Sequence, residues 1–124
     1  MQAGEYVVSE HKHQCALFEW AQLLSGQIPE LDYLFAVPNG GFRHKATAGR
    51  LKAEGLKPGV PDVVWPVPRA GWHGLFIEMK FGRNKPTKNQ TRWIEFLGEQ
   101  GYYTVVCYTW TEAKDTIMRY WNGQ

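Results

Sequence analysis

Three side chains in the middle of this 124-residue chain could do chemistry together: Asp62, Glu78 and Lys80. Asp62 lies in the run Gly59-Val60-Pro61-Asp62-Val63-Val64-Trp65, and Glu78 and Lys80 close the run Gly74-Leu75-Phe76-Ile77-Glu78-Met79-Lys80. Both runs are apolar, rich in Val or Ile and bounded by Gly or Pro, the mark of buried strands. Charge is out of place there, because an ionised group in an apolar sheet is unfavourable unless something compensates it. Residues two apart on a strand share a face, so Glu78 and Lys80 project together, roughly 7 Å apart. A hairpin through residues 66–73 lays Asp62 beside them. Two hard carboxylates suit a divalent cation such as Mg²⁺ or Mn²⁺, and an ammonium beside them suits a reacting anion.

The elements needed to hold this set can be read around it. Gln14, Leu17, Phe18, Ala21 and Leu24 follow helical spacing behind Ser9, which predicts an amphipathic helix over 10–24. Glu10 falls in its first turn, either as a partner of the helix dipole or as a further carboxylate for the cation. His11 and His13, two apart on a helix, diverge and make no zinc pair. Asp32 to Val37 reads as a first strand, stopped by Pro38-Asn39-Gly40-Gly41. That glycine-rich turn runs into Arg43 and His44, so phosphate could approach its backbone. A short basic helix over 44–54 ends at Gly55. The proline-rich segment 65–72 is a loop, because proline cannot join a central ladder.

Beyond Lys80, Thr87-Lys88-Asn89-Gln90 matches a capping box. A helix over about 88–100 follows, with Trp93, Phe96 and Leu97 as its apolar stripe and Gly101 closing it. Gln90 is either a capping residue or a neighbour of the active strand, and the helix start favours anions. Tyr102–Tyr108 reads as a strand. Thr111 caps a last helix with Ala113, Ile117, Tyr120 and Trp121 inward. Strand–helix–strand over 74–108 implies a parallel pair. The expected fold is α/β: one domain over residues 1–124, with a mixed β-sheet flanked by helices.

Composition narrows the possibilities. Hydrophobic content of 44% and aromatic content of 15% exclude a disordered chain. No apolar run approaches a membrane span of ~18 residues, so no membrane partner is expected. No signal peptide is visible at Met1–Glu5. Cys15 and Cys107 form no CxxC and read as reduced thiols of a cytosolic protein. Net charge is only +2, yet Arg43–Arg92 holds eleven Lys or Arg against three acids, Glu54, Asp62 and Glu78. A basic segment around a small acidic centre suits a polyanion, with Lys57, Arg83, Lys85, Lys88 and Arg92 as contacts; a solvated basic surface is the plain alternative.

Pro61-Asp62 followed by Glu78-Met79-Lys80 resembles the PD-(D/E)xK signature of restriction-endonuclease-like nucleases. Pro38–Gly41, Arg50–Asp62 and Gln90-Thr91-Arg92-Trp93 extend the likeness to the VRR-NUC (virus-type replication-repair nuclease) family, over about residues 9–107. The match is to its minimal stand-alone form from phages and bacteria, which implies the cytoplasm of a bacterial or phage-infected cell. The resemblance implies a metal-dependent endonuclease. Asp62, Glu78, the Met79 carbonyl and Glu10 would hold Mg²⁺ or Mn²⁺. Lys80 would orient the attacking water, and Gln90 would border the site. It further implies a homodimer acting on branched DNA, four-way (Holliday) junctions in particular, with flap- or nick-directed repair cleavage as the alternative. A non-catalytic nucleic-acid-binding module using the basic segment alone is a further reading. Trp65–Trp72 and Tyr120-Trp121 could supply a dimer interface.

Overall fold

The computed structural model describes residues 3–38 and 45–124, with side chains over 10–38 and 49–124. In order, the elements are α1 (Ala3–Leu24), a 3₁₀ turn (Pro29–Tyr33), β1 (Phe35–Ala36), α2 (Lys45–Ala53), β2 (Val63–Trp65), β3 (Leu75–Met79), α3 (Lys88–Glu99), β4 (Tyr103–Cys107) and α4 (Trp110–Trp121). The four strands form one sheet in the order β1-β2-β3-β4. The first two pairings are antiparallel and the last is parallel. The mixed α/β sheet inferred from the sequence is therefore present, with α3 as the crossover between β3 and β4.

The pleat of β3 divides the protein into layers. Leu75, Ile77 and Met79 join a buried cluster with Leu17 of α1 and Ala113 and Ile117 of α4. Each fully buried aliphatic side chain of this kind stabilises the fold by about 1.5–3 kcal/mol. The alternate residues turn toward α3: the Phe76 ring meets Tyr102 edge-on, and Glu78 meets Gln90. One sheet face therefore carries α1 and α4, and the other carries Glu78 and the start of α3. Trp65 is fully buried, and its indole N–H donates to the Glu30 carbonyl at 2.8 Å. Tyr120 is buried as well, its hydroxyl donating to the Val67 carbonyl. Trp121 packs on Trp65 under the Arg69 guanidinium. Trp65 and Tyr120 thus belong to the core and offer no interface; of that aromatic group Trp72 is exposed.

Several boundaries differ from the sequence reading. Asp32–Val37 is not one strand. Leu31 and Leu34 are both buried while Tyr33 and Phe35 are exposed. That three-residue spacing suits a 3₁₀ turn, whereas a strand would bury alternate residues. α1 starts at Ala3, so Ser9 lies inside it and is no cap. The strand expected from Gly59 begins only at Val63, since Gly59 has φ +91° and Pro61 cannot donate to a ladder. α4 is capped by Thr109, whose hydroxyl accepts from the Glu112 N–H at 3.1 Å, and not by Thr111. Thr109 and Glu112 have the Ser/Thr-x-x-Glu spacing that makes a better start. Phe96, expected in an apolar stripe, is half exposed, while Leu97 is buried.

Candidate active site

Strand register brings the two carboxylates together. Val63 pairs with Ile77, so one step further along the antiparallel ladder Asp62 stands level with Glu78. Backbone bonds fix each side. The Val37 N–H donates to the Asp62 carbonyl at 2.7 Å, and the Lys80 N–H donates to the Cys107 carbonyl at 2.8 Å. The Met79 N–H donates to Asp62 Oδ2 at 2.8 Å, which orients the carboxylate from across the hairpin. Met79 thus has a backbone role in the site while its side chain lies in the core.

Glu78 is only 2% exposed. Its Oε2 accepts from Gln90 Nε2 at 3.3 Å. Its Oε1 is buried with no hydrogen-bond partner among the described residues. Burial first, then the adjoining carboxyl of Asp62 and its negative charge, pushes the Glu78 carboxyl up to about 9; the nearby Lys80 charge pulls the other way. A buried acceptor without a partner is unfavourable by about 1–3 kcal/mol. Two carboxyl groups that share a site and cannot both ionise alone are stable once a cation lies between them. Residues Asp62 and Glu78 therefore fit a hard divalent cation by donor type, by burial and by the unpartnered oxygen.

Gln90 does both things the sequence allowed. Its backbone N–H donates to Thr87 Oγ1 at 3.2 Å, and its side-chain Oε1 accepts from the Thr87 N–H at 2.8 Å, completing the capping box. The remaining amide N–H reaches Glu78. The cap thereby places the start of α3 against β3. The chain at Gly59 comes up against Asn89: a Cβ on Gly59 would lie 2.6 Å from the Asn89 backbone carbon. The segments carrying Asp62 and Gln90 are thus in backbone contact.

Other expected residues are less central. Glu10 is half-buried on α1, and among the described residues no group of three His, Cys, Asp or Glu side chains gathers around the pair. Nearby, the His13 ring accepts from the Trp110 N–H at 3.1 Å and packs on Phe81, tying α1 to the start of α4. Lys57, Arg83, Lys85, Lys88 and Arg92 are all exposed. Asn39, Gly40, Arg43 and His44 lie outside the described residues. Sequence reasoning missed the Gly59–Asn89 contact; the glycine before Val60-Pro61 was its one visible signal.

A mixed sheet with an aspartate at the head of one strand and Glu-x-Lys at the end of its antiparallel partner defines a restriction-endonuclease-like nuclease fold. Within that class, the VRR-NUC domain matches residues 8–110, and the chain belongs to the VRR-NUC family. A solved structure described as a VRR_NUC domain protein is similar, with a TM-score of 0.77 and 27% identity, covering 93% of this chain and 89% of that one. No match was found among curated proteins. Family and fold together make this a nuclease domain, for which DNA is the implied substrate. Among the described residues no helix is long and apolar enough to cross a membrane.

Proposed function

We propose that the protein is a Mg²⁺- or Mn²⁺-dependent, structure-selective DNA endonuclease that cuts four-way junctions as a homodimer. The single observation that carries the metal-dependent reading is the buried, unpartnered Glu78 oxygen beside Asp62. Binding of nucleic acid alone gains nothing from two adjoining carboxylates, so the non-catalytic reading is the weaker one. Asp62 and Glu78 would hold the cation, with the Met79 carbonyl and Glu10 completing the set. When bound, it neutralises phosphate charge and lowers the pKa of a coordinated water. Lys80 supplies positive charge to the attacked phosphate and a donor to the attacking water. Gln90 holds the Glu78 carboxyl in place through its amide. Exposed Lys57, Arg83, Lys85, Lys88 and Arg92 neutralise backbone phosphates, contacts that carry shape rather than sequence information. A bacterial or phage-infected cytoplasm is the setting this reading implies.

The test is cleavage of a four-way junction, a flap and a linear duplex with either metal, with Asp62→Ala and Glu78→Ala as controls. Paired cuts in the junction that vanish in both controls, while junction binding survives, are the expected result. Cuts in the flap alone would retain the active centre and overturn the junction reading. Metal-dependent cutting by either purified control would remove the assignment of the carboxylates.

A further inference from the structure

A groove of about 550 Å³ is lined by Lys57 and Pro58 on one side and by α3 on the other. Its size falls within the range of about 300–1,000 Å³ that takes a small ligand. Phe96 is 53% exposed at its wall. Trp93, whose indole N–H donates to the Pro58 carbonyl at 3.1 Å, meets Phe96 edge-on with ring centroids 6.4 Å apart. The tryptophan is therefore tied to the opposite side of the groove, while the phenylalanine ring is left on display.

The charges along the groove have a direction. Arg92, Glu95 and Glu99 recur at helical spacing on α3, all three on the groove side. Arg92 lies in the first turns of α3, on a different face from Gln90, which touches Glu78; Glu99 ends the helix, roughly 10 Å further on. Lys57, the second cation, is two residues before Gly59, which abuts Asn89. The cationic end of the groove therefore lies at the start of α3, the end whose Gln90 meets Glu78, and the acidic end lies at its finish. A phosphate is attracted to the near end and repelled from the far one.

We propose that this groove takes one unpaired nucleotide of the cleaved DNA, its phosphate against Lys57 and Arg92 and its base stacked on Phe96. The inference rests on the nuclease reading and extends it to how substrate shape is sensed: a base stands free at a flap, or at the opened centre of a four-way junction, and not along a paired arm. An aromatic face stacks a base only when that base is free of its own helix, which fully paired linear duplex does not offer. The acidic residues Glu95 and Glu99 stop the backbone from following the groove further, so the site accepts a single displaced nucleotide and not a continuous strand.

The experiment is fluorescence anisotropy in a chelator, with no metal and no cleavage. It compares Phe96→Ala, Phe96→Trp and wild type on a flap with an unpaired nucleotide at the branch and on paired linear duplex. The base at the branch is 2-aminopurine, which reports stacking. Phe96→Ala should weaken flap binding by roughly 5- to 100-fold, remove the stacking signal and leave duplex binding unchanged; Phe96→Trp should restore both. Equal losses on flap and duplex, or no loss on either, would overturn the proposal. A change from dimer to monomer in Phe96→Ala, read by light scattering, would assign the ring to a second copy of the chain and also overturn it. Failure of cleavage in the metal assay would strike the nuclease reading and leave the stacking readout standing. A flat anisotropy result with intact cleavage would remove the groove alone.

Discussion

Metal-free Glu78→Gln protein should be more stable than wild type at pH 7.5, by a margin that nearly vanishes at pH 5. In the unfolded chain the Glu78 carboxyl has its ordinary value of 4.5; in the fold it is pushed up to about 9. Between those values the folded protein holds one proton more than the unfolded chain. The stability this confers is fully present below the unfolded value and is lost as pH rises through the window up to about 9. The slope is ~1.4 kcal/mol per pH unit. From pH 5.5 to 7.5 that amounts to ~3 kcal/mol, a large share of the 5–15 kcal/mol that holds a typical domain together. A carboxamide at position 78 keeps the shape, stays neutral beside Asp62 and cannot ionise. Thermal melts in a chelator across this range should show the two proteins diverging by roughly 10 °C at the alkaline end. Comparing them cancels every group the two proteins share. A difference that stays constant with pH would refute the reasoning, since it would mean that Glu78 takes no part in the titration.

Gln90→Glu keeps an acceptor for the Thr87 N–H but loses the donor to Glu78. Cleavage should fall by roughly 10- to 100-fold while the helix content read by circular dichroism is retained; unchanged cleavage would leave Gln90 a capping residue only. Gly59→Ala combines a φ of +91° with a Cβ placed 2.6 Å from the Asn89 backbone. It should lower stability by about 2–3 kcal/mol and reduce cleavage with it, as measured by urea melts and a single-turnover assay; an unaltered melt would show that the contact yields easily.

The strands that carry Asp62 and Glu78 were legible because charge interrupts their apolar runs, and the Thr87–Gln90 box because its spacing is fixed by one helical turn. Pattern failed where two periods compete. Over Asp32–Val37, β-prone residues such as Tyr33 and Phe35 suggested a strand, but burial of Leu31 and Leu34 selected the 3₁₀ turn. At Thr109 and Thr111 two good caps lie two residues apart, and Glu112 decides for the first. The aromatic residues mislead for another reason. Helical spacing placed Tyr120 inward, but composition gives no hint that Trp65 fills the interior while Phe96 stands open, because that depends on where each helix rests on the sheet. Gln90 likewise offered two roles, and its amide, with one acceptor and one donor end, has room for both.

The position of β3 between an antiparallel and a parallel neighbour bears on the order in which the chain folds. Asp62 and Glu78 are joined by a hairpin and can meet through local contacts alone. The opposite side of β3 pairs Leu75 with Tyr103 through Met79 with Cys107, which requires the whole α3 crossover to close. Short-range contacts of the first kind form sooner than long-range ones of the second. The repelling acids are therefore brought face to face before Gln90 arrives. At alkaline pH that places an electrostatic barrier early on the folding route, so the penalty of assembling the carboxylate pair falls on how fast the metal-free chain folds as well as on how stable it becomes.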